Sequence, residues 1–190
     1  METEAPLSTR EAIMAAATNT VMTEGYNALS FRDLAADVGI KSASVHHHFP
    51  TKGDLAEAIV GRFGEDFTKR MEPLLDLPFE EALDGYIGLF RSAFVDSNRM
   101  CLGGMMSAEV SALPEPARAQ LKGFVEAHKD FVRAVLLKKH KRMASEKLEG
   151  RVFAIFAAME GAQLIARGLG GDAAVFDGIV ESYKASGLLA

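Results

Sequence analysis

The chain has 190 residues, 48% of them hydrophobic and 25% charged, with a formal net charge of −5. That length allows one large domain, or one small and one medium domain, and the apolar content is ample for a packed core. The acidic balance excludes a generic polycationic binder of nucleic acid, and the single cysteine, Cys101, excludes an intramolecular disulfide. No apolar stretch reaches the roughly 20 residues of a membrane span, and the acidic start METEAPLSTRE has no signal core, so a soluble cytoplasmic setting without membrane is expected.

Residues 1–7 read as a tail. Ser8 or Thr9 opens a helix to about residue 24, with Ile13, Ala16, Ala17, Thr20 and Val21 inward and Gly25 at its end. Ser30 is a good N-cap for a second helix, in which Asp33 complements the dipole and Leu34, Ala35 and Val38 share a face. Gly39 stands where a helix ends in the left-handed conformation, and Ile40 returns the chain to the core. Lys41 or Ser42 then starts a short third helix with Val45 and Phe49 on one face, stopped by Pro50. Thr51 caps the next. Two short helices joined by a glycine turn and braced by a first helix make a helix-turn-helix, whose second member enters the DNA major groove.

From Lys52 to about Leu75, Leu55, Ile59, Phe63, Phe67, Met71 and Leu74 recur at helical spacing, and Pro73 and Pro78 bracket the end. Residues 79–97 read as a helix carrying Leu83, Ile87, Phe90 and Phe94 inward, followed by a break at Asn98-Arg99. Residues 100–112 are helical in part, weakened by Gly103-Gly104. After a turn at Leu113-Pro114-Glu115-Pro116, a helix from Ala117 to about His140 points Leu121, Phe124, His128, Phe131 and Val135 inward. The basic run 138–151 reads as a solvated loop rather than a nucleic-acid site. Residues 151–169 form a helix with Ala154, Ala158, Ala162 and Ala166 on one ridge and Phe153, Phe156, Met159 and Leu164 beside it. Asp172 caps a last helix carrying Val175, Phe176, Ile179, Val180 and Tyr183. These two closing helices either complete the monomer's core or form a four-helix dimer interface.

The stretch 30–55 resembles the DNA-binding region of the TetR/AcrR family of transcriptional regulators. The residues that carry the resemblance are Leu34-Ala35, Val38-Gly39-Ile40, His46-His47-His48-Phe49 and Thr51-Lys52-Gly53-Asp54-Leu55. The departure is at His46 and His48, where the family usually has tyrosine; imidazole still hydrogen-bonds a phosphate but titrates near neutral pH. The resemblance implies an all-α chain, with an N-terminal three-helix bundle containing the helix-turn-helix at 1–55 and a larger effector-binding and dimerisation domain at 56–190. It implies a dimeric repressor, paired through the helices at 151–169 and 173–186, that leaves a near-palindromic operator when a small-molecule effector binds. It also matches Lys52 to the family's phosphate-contacting lysine and puts His46 in the place of its phosphate-contacting tyrosine.

The residues themselves nominate Lys41, Ser42, Ser44, His46 and His47 for the reading helix, with Arg32 and Lys52 placed for backbone phosphates. Residues 1–55 hold four Lys or Arg (Arg10, Arg32, Lys41, Lys52) against seven Asp or Glu, so non-specific affinity is expected to be weak. Three adjacent histidines on a helix point about 100° apart and cannot converge on one metal ion. Effector candidates are Phe94, Cys101, Met105, Glu109 and His128, polar or adaptable groups among apolar helices. Cys101, at a helix start, is either a sensor thiol or a small core residue. No cofactor is expected. No catalytic motif is present, and Gly168-Leu169-Gly170-Gly171 follows a helix rather than a strand, so it is not a nucleotide fingerprint. The competing reading is a helical ligand carrier or small enzyme whose N-terminal bundle only resembles a DNA reader.

Overall fold

The computed structural model describes residues 7–95 and 99–190, without the side chains of residues 93–95. Among the described residues there are nine α-helices and no strand. They are α1 (Thr9–Glu24), α2 (Phe31–Val38), α3 (Ser42–His48), α4 (Lys52–Met71), α5 (Phe79–Val95), α6 (Leu102–Ala108), α7 (Glu115–Lys139), α8 (Ser145–Gly168) and α9 (Ala173–Ala185). Short 3-10 turns at Glu72–Asp76 and Val110–Ala112 link α4 to α5 and α6 to α7.

Local chemistry sets the N-terminal boundaries. Ser8 caps α1 in a reciprocal box with Glu11: the Glu11 amide donates to Ser8 Oγ at 3.3 Å, and the Ser8 amide donates to Glu11 Oε2 at 3.0 Å. Thr51 and Asp54 repeat the device at α4. Ser30 caps α2, and Gly39 (φ 73°, ψ 33°) closes it in the left-handed conformation that glycine adopts without a Cβ clash. The Ile40 amide then donates to Ala35 O at 2.9 Å, which turns the chain into α3. Ile13, Ala17 and Val21 of α1 meet Leu34, Val45, Phe49 and Leu55 in one buried core. The Arg10 guanidinium sits 4.9 Å from the centre of the Phe49 ring.

The long helix α4 runs unbroken through residue 55, so the small N-terminal head and the larger body share a rigid rod. Its body half packs chiefly on α7, with Gly64 against Phe124. Around this pair stand α5, α6 and α8, and α9 closes the far side. Ion pairs tie the outer faces: Arg91 to Asp177 at 2.7 Å and Arg133 to Glu149 at 2.6 Å. Helix α8 begins at Ser145, six residues before the expected start at 151. The polar run had the look of a loop, yet Leu148 and Val152 are buried one turn apart and Glu149 pairs with Arg133. The basic connection is thereby reduced to residues 140–144. No helix among the described residues is long and apolar enough to cross a membrane.

Candidate DNA-reading face and effector cavity

Helix α3 is buried on one side only. Val45, with Phe49 just beyond the helix end, holds it to the head, which leaves Ser42, Ala43, His46 and His47 exposed and Ser44 half-buried. Lys41, the residue before the helix, is exposed and makes no side-chain cap. His46 packs its ring edge against Phe31 at 4.8 Å, which orients it from the start of α2, and Arg32 projects beside it with a loose contact to Asp33 at 3.4 Å. Arg32, Lys41, Ser42, His46 and His47 are thus all exposed, and His46 is tied to the start of α2 through Phe31.

Lys52 is placed differently. Its ammonium turns onto the α1–α2 connection, donating to Asn27 O at 3.2 Å and lying 4.4 Å from the centre of the Tyr26 ring. Burial lowers its pKa, and the nearby Glu109 charge partly opposes that. Glu109 itself does not face a cavity. It closes α6 and accepts from the amides of Tyr26 and Asn27 (3.2 Å to Asn27) and from Asn27 Nδ2 at 2.8 Å. The same end of the head is held by α8, where the Arg167 guanidinium donates to Met22 O at 2.8 Å and to Thr23 O. The Met100 amide also donates to Met22 O, at 3.1 Å. Pro114 presses on α4 at Gly53, where a Cβ would come within 2.9 Å of its Cγ. Glu109 and Arg167 therefore make a polar joint between head and body, to which Pro114 adds an apolar contact.

The body contains a cavity of about 270 Å³ between α6, α7 and α8. Met100, Met105, Phe124, Val125 and Phe156 wall it, and Ser107, Ala108 and Leu164 form an exposed mouth. Glu160 of α8 lies in the wall with both carboxylate oxygens buried and no cation or strong donor against them. Burial raises its pKa to about 7, and a hydrogen bond with the Cys101 thiol acts in the other direction. A cleft of about 320 Å³ between α1 and α4 is larger, but Arg62, Asn19 and Ala15 leave it open to solvent. Enclosure and the buried carboxylate favour the α6–α7–α8 cavity as the ligand site.

Of the five nominated effector residues, Met105 lines this cavity. His128 sits behind it, fully buried, stacked on Phe156 at 4.8 Å, with Nδ1 2.8 Å from the Tyr86 hydroxyl. Burial lowers its pKa to about 3, so the ring is neutral. Cys101 is buried and borders a separate space of about 210 Å³ beside Met22, Phe67 and Phe90. The amides of Gly104 and Gly103 do favour its thiolate, but burial and the Glu160 charge outweigh them and push the thiol well above its usual range. Phe94 lies on α5, and its side chain falls outside the described residues. Sequence reasoning passed over Glu160. The available signal was Gly103-Gly104: a Cβ on Gly104 would lie 2.4 Å from Glu160 Oε2, and one on Gly103 would lie 2.2 Å from the Phe124 ring.

Comparison with known proteins bears on the head and on the whole fold. The pattern of bacterial regulatory proteins of the tetR family matches residues 13–59. The HTH-type transcriptional repressor KstR2 of Mycolicibacterium smegmatis is 30% identical over 89 residues, a stretch spanning 47% of this chain and 43% of that protein. Two solved structures agree over nearly their full length. A TetR transcriptional regulator from Legionella pneumophila has a TM-score of 0.87 at 29% identity, covering 95% of this chain and 98% of that one. A TetR-family regulator from Agrobacterium tumefaciens has 0.84 at 27%, covering 91% and 94%. These relatives are regulators rather than enzymes. The family pattern over the head and the agreement of fold over nearly the whole chain at 27–29% identity together show that the chain belongs to the TetR family of transcriptional regulators.

Proposed function

We propose that the protein is a dimeric, ligand-responsive repressor that reads a near-palindromic operator through α3 and leaves it when a small molecule occupies the α6–α7–α8 cavity. One observation carries this reading: two of the three helices that wall the cavity, α6 and α8, also hold the head. Glu109 ends α6 and grips Tyr26 and Asn27, while Arg167, near the end of α8, grips the last turn of α1. A ligand that separates α6 from α8 works against one of these grips, and so favours a conformer in which the head is placed differently. Such differential affinity is what release of DNA requires.

Pairing is supported by the outer face of α8. Phe153, Leu164 and Ile165 of α8, and Leu169 just past its end, are each more than half exposed. A twofold pairing of α8 and α9 that covers Ile165 and Leu169 would set two α3 helices roughly 34–36 Å apart, one turn of DNA. The exposed Lys41, Ser42, His46 and His47, with half-buried Ser44, are the proposed base and phosphate contacts, and Arg32 adds a backbone contact. Because Lys52 is engaged at the joint, its phosphate contact would require it to leave Asn27 and Tyr26.

The test is fluorescence anisotropy of the purified protein with DNA flanking its own gene, against scrambled DNA. Specific binding at least ~10³-fold above the control is expected. Lys41→Ala with His47→Ala, both on the exposed face, should remove most of that margin without changing the melting temperature. Unaltered specific affinity in this variant refutes the placement of the reading face.

A further inference from the structure

Glu160 is badly placed for a structural residue. Its two oxygens are buried, the one side chain near enough to donate to them is the weakly polar Cys101 thiol, and among the described residues no Lys, Arg or His lines the cavity with it. A carboxylate left so costs more stability than a neutral glutamine would, because the lost water is replaced by no cation or strong donor. The surroundings are shaped to keep it there. Oε2 lies against the backbone of α6 at Gly104, where a Cβ would stand 2.4 Å from it and push the carboxylate aside. The walls are Phe124, Phe156, Met100 and Met105, and the mouth at Ser107 and Leu164 is reachable from solvent.

The partner this site lacks must bring positive charge and apolar surface together. A metal ion does not fit, since it demands several oxygen or nitrogen ligands and the described wall offers one carboxylate among apolar groups. An anion would meet like charge in a dry site. An organic cation satisfies both demands: its ammonium pairs with the carboxylate, and its body displaces water from rings whose faces attract cations. We propose that the cavity takes an apolar amine, aromatic or aliphatic, held by an ion pair between its ammonium and Glu160. This rests on the reading of the cavity as the effector site, and it names the chemistry of the effector.

Three probes of one shape separate the possibilities in calorimetric titrations of the full-length protein: 4-phenylbutylamine, 4-phenylbutan-1-ol and 4-phenylbutanoate. The amine should bind at least ~10-fold more tightly than the alcohol, as a buried charge-assisted hydrogen bond implies, and the carboxylate least of all. Glu160→Gln keeps the shape and should bring amine and alcohol within about threefold of each other, with alcohol affinity unchanged. Amine and alcohol binding equally to the wild-type protein would overturn the inference while leaving a general apolar effector site intact. Failure of all three to bind would also overturn it. Amine binding through Glu160 that leaves operator affinity unchanged would uphold the site and sink the effector reading instead.

Discussion

Replacing Glu160 by glutamine should flatten a specific part of the protein's pH–stability curve. The carboxyl has a folded-state pKa of about 7 against an ordinary value of 4.5, because burial penalises its charged form. The folded protein therefore holds this proton more tightly than the unfolded chain. Stability from this group is fully present below pH 4.5 and is lost as pH rises through 7. Integrating proton binding between pH 5 and 8 gives a loss on the order of 2–3 kcal/mol. The groups facing Glu160 are Cys101 at the start of α6 and, deeper, Tyr86 of α5; burial raises both of their pKa values well above the usual range, so both stay neutral across that interval. His128 runs the other way. Its pKa near 3 makes stability fall as pH drops below the ordinary histidine value of 6.5. The wild-type curve thus mixes two opposed contributions, and the difference between wild type and Glu160→Gln isolates one. Urea denaturation of both proteins at pH 5 and pH 8 should show the wild type losing on the order of 2–3 kcal/mol relative to the variant on going to pH 8. Parallel curves, within about 0.5 kcal/mol, would mean that the carboxyl is solvated or paired in solution and would refute the reasoning.

The joint, the pairing face and the thiol each make a separate claim. Glu109→Ala should speed hydrogen exchange at the Tyr26 and Asn27 amides by at least ~10-fold while amides around Leu55 keep their protection, and unchanged exchange at both would remove Glu109 from the joint. Ile165→Glu with Leu169→Glu places like charges on the exposed α8 stripe. Sedimentation should then show the mass of one chain and operator affinity should collapse, whereas a persisting dimer places the interface elsewhere. Cys101, the chain's one cysteine, should react with iodoacetamide at least ~100-fold more slowly in the native protein than in urea, and rapid native labelling would restore the sensor-thiol idea.

The head was legible in the sequence because its structure is local. Caps, the left-handed glycine and the 3.6-residue stripe each act within a few residues, and Ser30, Gly39, Val45 and Thr51 stand in the structure as their types demand. The body's core was legible for the same reason, down to the buried His128. What escaped was set by partners far along the chain. Glu109 looks like a polar residue on an apolar helix, and only its bonds to Tyr26 and Asn27, some 80 positions away, reveal a joint. Glu160, in a run of small residues on α8, reads as a solvated carboxylate until α6 is laid against it. Lys52 carries the family's pattern in sequence, yet its ammonium is drawn to Asn27 by geometry that no spacing rule contains.

The acidic character of the head fits a regulator that switches. A head with seven acidic and four Lys or Arg side chains in its first 55 residues has little sequence-independent hold on DNA, so its affinity depends on both reading helices fitting at once. That makes occupancy sensitive to small changes in their spacing. The 20 residues of α4 span about 30 Å, so a tilt of about 5° moves its far end by about 2.5 Å. Such a shift exceeds the tolerance of a hydrogen bond to a phosphate or base edge. On the proposed mechanism the ligand need not act on α4 directly. The head is gripped from α6 by Glu109 and from α8 by Arg167, and a ligand that pushes those helices apart would loosen one grip or turn the head. The two grips are hydrogen bonds from or to a charged group, each worth roughly 1.5–3 kcal/mol, and together they are comparable to the ~5.5 kcal/mol that carries a two-state equilibrium from 1:99 to 99:1. A joint much weaker would leave the head indifferent to the cavity. A much stronger one, or one spread over a large apolar interface, would lock the head beyond the reach of any small ligand.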